Sequence, residues 1–145
     1  MIDKEGSVMT EEIKISIVSS QTAGGEKEQM NMKTQGTLRK VEGASIIEYA
    51  DMEGESQAGI TTILVREDMV SMQRQGAVET EFVFERGKTY STLYKMPFGE
   101  MSVTLLPTHV NACMGEKSGS IDLEYVMDIA GSQVVNRLNL CYDRR

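Results

Sequence analysis

The sequence has no tryptophan, only three phenylalanines, two prolines, two cysteines and a single histidine among 145 residues. Two cysteines, Cys113 and Cys141, are too few for a disulfide framework and lack the spacing of a redox or zinc motif. Each falls in a strand-like segment, so both are expected as buried, reduced thiols that pack like small hydrophobes. One histidine cannot anchor a metal site without other ligands nearby, and no metal or other cofactor is expected. No apolar run approaches the ~20 residues of a membrane helix. Met1 to Glu12 lacks the basic start and apolar stretch of a secretory signal, and a cytoplasmic location is the expectation. Positive charge is also scarce. The net charge of −7 works against phosphate backbones and anionic membrane surfaces, and no Lys/Arg cluster offsets it, so a nucleic-acid partner is not expected.

What is present is alternation. A polar, flexible N-terminal tail is expected over residues 1–12 and a single domain over 13–145. Ile13, Ile15 and Ile17 alternate with polar neighbours, and Gly24-Gly25 marks a turn. Further strands are predicted around Met30 and Met32, over Ser45 to Ala50, and over Gly59 to Arg66. No segment sustains a helical apolar period. The result is an all-β chain of about eight to ten strands, read as an antiparallel closed barrel, which removes exposed edges.

Two hairpins are predicted in register. Ile121–Ile129 and Ser132–Tyr142 flank Ala130-Gly131, pairing Met127 with Val134, Tyr125 with Asn136, Leu123 with Leu138 and Ile121 with Leu140. Glu124 then meets Arg137 on the opposite face. In the middle of the chain, a three-residue loop at Gln75-Gly76-Ala77 would set Val70 against Phe82 and Met72 against Thr80. Pro97 and Pro107 interrupt the pattern, the first at a corner or sheet edge and the second at a bulge or edge.

Several of these segments carry a family resemblance. They are the opening strand Ile13–Gln21, Val70-x-Met72-x-Arg74-x-Gly76, Tyr94-x-x-Pro97-Phe98-Gly99, Thr108, and Gly119-x-Ile121-x-Leu123-x-Tyr125. Together they make the chain resemble the YwiB-like family of small bacterial proteins of unknown function, over nearly all of the sequence after the tail. Met96 stands where that family carries a threonine. The resemblance implies a calycin-type barrel, the class that includes lipocalins, and it implies no activity.

Site candidates are sparse. His109 has no nucleophile or orienting carboxylate beside it, and no catalytic residue is assigned. Asp51, Glu53 and Glu55 lack the spacing of a calcium loop and read as a solvated acidic turn. No phosphate-cradling glycine motif precedes a helix. Arg74 shares the inner face with Val70 and Met72, where it can pair with an anionic ligand group or with an internal acid. Tyr125 and Asn136 face each other inside the last hairpin, set to bond a ligand or one another. Methionines such as Met30, Met72, Met101 and Met127 suit an irregular core or an adaptable binding wall. Phe98, beside Pro97, can plug a barrel end or present an anchor. The sequence thus supports a small apolar, amphipathic or anionic ligand held by Arg74, Tyr125 and Asn136. The alternative is a protein–protein interaction module, a homodimer included, with a filled barrel and no ligand, using Pro97 and Phe98.

Overall fold

A computed structural model describes residues 10–53 and 56–145 of the chain, and Gly54 and Glu55 of the acidic segment lie outside it. Among the described residues ten antiparallel strands follow one another: β1 (Thr10–Ala23), β2 (Glu26–Val41), β3 (Ala44–Glu53), β4 (Ser56–Arg66), β5 (Met69–Gly76), β6 (Thr80–Phe84), β7 (Tyr90–Met96), β8 (Gly99–Met114), β9 (Ser118–Ile129) and β10 (Ser132–Arg144). β1 starts at Thr10, inside the segment expected as tail. Among the described residues no helix is long and apolar enough to cross a membrane.

The sheet runs β6-β5-β4-β3-β2-β1-β10-β9-β8-β7 and curls into a nearly closed barrel. Each strand pairs with its chain neighbour, and the long-range β1–β10 ladder joins the two halves, from Ile13↔Arg144 to Thr22↔Val135. The gap in the ring falls between chain neighbours β6 and β7. Among the described residues they share one bridge, in which Glu79 and Lys95 exchange backbone bonds of 2.9 Å each.

Alternation explains the core, because successive strand side chains point to opposite faces. Ile13, Ile15 and Ile17 turn inward to meet Leu38, Ile47, Ile63, Leu105, Ile121 and Leu140 in one buried cluster. Burying each such side chain contributes roughly 1.5–3 kcal/mol.

The last hairpin has the register read from the sequence: Met127↔Val134, Tyr125↔Asn136, Leu123↔Leu138 and Ile121↔Leu140. Ala130 (φ 53°) and Gly131 (φ 88°) are both left-handed, as a type I′ turn requires. The middle hairpin differs. Val70 pairs with Phe84, Met72 with Phe82 and Arg74 with Thr80, a shift of two residues from the expected register. Glu79 is committed to Lys95 across the ring, so β6 starts only at Thr80 and the loop lengthens. A shift of two keeps every side chain on its expected face.

Pro107 marks a bulge, as anticipated: the β8–β9 register slips between Pro107 and His109. The β7–β8 ladder ends at Tyr90↔Leu105, so the missing Pro107 N–H leaves no ladder bond unmade on that side. The slip also inverts the alternation of β8. Val103 and Leu105 point inward before it, whereas His109 and Cys113 are exposed after it. The expectation of buried thiols is therefore wrong for Cys113. It is also wrong for Cys141, which sits between the inward Leu140 and Tyr142, and both thiols are free and exposed.

Candidate functional site

A mouth is formed at one end of the barrel by the C-terminal ends of β1, β5, β7 and β9 and the N-terminal parts of β2, β6 and β10. A cavity of about 420 Å³ opens at this mouth, and Arg74, Tyr125 and Asn136 all line it. Its apolar wall includes Met72, Phe82, Met127 and Leu138. The three residues singled out from sequence thus share one recess.

Their detailed partners differ from the simple pairing expected. Asn136 is 4% exposed, and its amide Nδ2 donates to the Val134 carbonyl at 3.2 Å rather than to Tyr125. The Tyr125 ring packs on Phe84, with centroids 4.8 Å apart. Burial pushes the Tyr125 phenol up to about 12, only partly opposed by the nearby Arg74 charge. At neutral pH this hydroxyl therefore remains protonated and able to donate.

Arg74 sits in a cross-strand row. Tyr49 opposes Thr61, Thr61 opposes Arg74, and Arg74 opposes Thr80. Its Nε lies 3.6 Å from Asp51 Oδ2. Asp51 Oδ2 already accepts the fully buried Thr61 hydroxyl. The Arg74 Nε is buried and has no hydrogen-bond partner among the described residues. Burial and the Asp51 charge raise the pKa of Tyr49, against the opposing pull of Thr61 and Arg74.

Asp51 was read as part of a solvated turn. It instead continues the inward face of β3 after Ile47 and Tyr49, with a side chain only 19% exposed. The period-two series Ile47, Tyr49, Asp51 was the signal for this, obscured by the acidic neighbours that follow. A second lobe of about 330 Å³ is lined by Asp51, Tyr49 and Gly59, and it shares Ser19, Met30, Met72, Arg74 and Leu138 with the mouth cavity. Asp51 opposes Gly59, which in turn opposes Gly76, so two residues without side chains follow in a row on one side of the carboxylate.

A third recess, about 410 Å³, lies at the β6–β7 gap between Glu81, Thr92, Leu93 and Lys95, and it too reaches Arg74. Arg74 therefore contributes to the lining of all three recesses.

Other candidates fall elsewhere. Pro97 and Phe98 form the two-residue tip between β7 and β8, and Phe98 is 85% exposed, so it does not plug the barrel. Met30, expected on an apolar face, is 64% exposed at the mouth. His109 lies on the outer face opposite Glu124, which also pairs with Arg137 at 3.5 Å. Among the described residues no group of three or more His, Cys, Asp or Glu side chains converges as a metal site would require.

Comparison with known proteins adds the family and the fold. The family model described as a domain of unknown function (DUF1934) matches residues 15–140. No curated protein matches the chain in sequence. The crystal structure of the ywiB protein from Bacillus subtilis is similar at a TM-score of 0.87, with 20% identity over 98% of each chain. At that identity the likeness carries the fold alone.

Proposed function

The chain belongs to the DUF1934 family, and on this barrel we propose a binding protein that holds a small amphipathic ligand at the open mouth. The supporting observation is convergence. Arg74, Tyr125 and Asn136 line one cavity whose remaining wall includes Met72, Phe82, Met127 and Leu138. Polar side chains such as Ser20, Gln29, Thr80 and Arg137 line it as well, and a concave recess that joins apolar wall to convergent polar groups is the usual form of a small-molecule site. Its volume of about 420 Å³ also falls within the range of such pockets. The methionines supply an adaptable wall. This reading keeps the lipocalin-like mode implied by the calycin-type resemblance. It also keeps a cytoplasmic setting, which suits two exposed, unbridged thiols.

Native mass spectrometry of gently purified protein, followed by denaturing extraction, tests it. A small molecule that co-purifies with the wild type and is lost from Arg74→Ala is the expected result. Met-methyl NMR then supplies an independent check with octanol as probe. Shifts confined to Met30, Met72 and Met127 support the mouth as the site, and a spectrum unmoved at saturating probe overturns it.

A second reading rests on Phe98. An aromatic side chain 85% exposed at a hairpin tip suits a contact with another protein, including a second copy of this chain. Sedimentation of the wild type and Phe98→Ser decides it: a dimer that the substitution dissolves favours this reading, and a monomer in both removes the homodimer.

A further inference from the structure

The headgroup that the mouth recognises follows from its charge arrangement, and this inference rests on the ligand-binding reading above. Arg74 lines both the mouth cavity and the lobe beside it, and Asp51 lies next to it with Nε and Oδ2 3.6 Å apart. The two side chains line the same lobe. Among the described residues the lobe therefore carries one positive and one negative group and no formal net charge. A carboxylate ligand would meet a guanidinium already compensated by Asp51 and would bring an unpaired negative charge close to it. An alkylammonium would meet the mirror-image problem at Arg74. Burying an unpaired charge costs far more than burying a hydrogen-bonded neutral group.

The hydrogen-bonding capacity points the same way. Asp51 Oδ2 is occupied by Thr61, and the carboxylate retains acceptor capacity at Oδ1. The guanidinium has five N–H donors and no acceptor, and the Arg74 side chain, 41% exposed, lines the recess. The lobe thus presents a donor edge and an acceptor edge side by side. The space beside Asp51 is open because its cross-strand neighbours on this face are Gly59 and then Gly76. That space is also fixed by the backbone, since a Cβ at Gly59 would lie 2.3 Å from the Gln75 carbonyl oxygen. Apolar side chains of Met30, Met72 and Leu138 continue from this polar end into the mouth cavity.

We propose that the ligand carries an uncharged carboxamide head, with its C=O accepting from the Arg74 guanidinium and its N–H donating to Asp51, and an apolar tail along the methionine wall. A carboxamide is the small planar group whose acceptor and donor lie side by side, complementary to the edge this pair presents.

The test is a matched series of eight-carbon probes titrated calorimetrically into the full chain: octanamide, octanoate, octylammonium and octanol. Octanamide is expected to bind about tenfold tighter than octanol, the value of one to two net hydrogen bonds, with octanoate and octylammonium weaker than octanol. Asp51→Asn leaves the lobe with a net positive charge and should move the preference to octanoate. Arg74→Gln leaves it negative and should move the preference to octylammonium. Wild-type protein that prefers octanoate or octylammonium, or that does not distinguish octanamide from octanol, overturns the headgroup assignment while leaving the binding site standing. Failure of all four probes to bind removes the binding reading itself. The wild-type series decides the assignment even if a variant does not fold.

Discussion

Tyr125 and Phe84 pack ring on ring across the barrel interior, centroids 4.8 Å apart and planes inclined at 52°. The contact belongs to the rings, and Tyr125 also lines the cavity that holds Arg74 and Asn136.

Tyr125→Phe should keep the ring contact and change stability at neutral pH by no more than about 0.5–1.5 kcal/mol. The alkaline limb is where it differs. The folded pKa is raised to about 12 from 10.0, so the fold favours the neutral phenol. That contribution is complete below pH 10 and is lost as the pH rises toward 12. Urea midpoints of the wild type should fall across this window, and those of Tyr125→Phe should fall less. Equal slopes would show that Tyr125 ionises freely in the folded state.

Gly59→Ala should destabilise the barrel. The added Cβ would sit 2.3 Å from the Gln75 carbonyl oxygen, a backbone atom that cannot swing aside. Overpacking of this kind costs about 1–3 kcal/mol, read as a lowered urea midpoint with an unchanged slope. An unchanged midpoint would mean that the β4–β5 pairing is looser than its register implies.

Both thiols should react with a disulfide reagent in the folded protein, without denaturant, because Cys113 and Cys141 are exposed. Two equivalents of released thiolate per chain are expected at the rate of an accessible cysteine. Reaction only after urea is added would place the side chains inside and contradict the inverted alternation of β8.

These cysteines show where the sequence is and is not legible. The last hairpin was readable to the residue because a tight turn fixes register locally and each pair matches in character. Cys113 is expected inside because a free thiol packs like a small hydrophobe, and the bulge between Pro107 and His109, whose change of parity Pro107 alone does not reveal, turns it outward. The middle register slipped by two because Glu79 answers to Lys95, a partner that local pairing rules do not consider. Arg74 was readable as an inward residue from Val70 and Met72. Asp51 was not, since its acidic neighbours suggested solvent while its own parity with Ile47 and Tyr49 pointed inward. The convergence of Arg74, Tyr125 and Asn136 depends on strand order, and hairpin reading alone cannot supply that.

The gap between β6 and β7 gives the barrel an uneven resistance to breathing. Elsewhere each strand is stitched to its neighbours along a ladder, from five residue pairs in β5–β6 to fourteen in β1–β2. Between β6 and β7 two backbone bonds at one bridge hold the wall shut. Local openings begin where few bonds must break, so the wall parts along this line before the sheet comes undone. Arg74, which reaches both the mouth and this gap, would then feel every such excursion, while the β1–β10 ladder on the far side keeps the two halves of the chain joined.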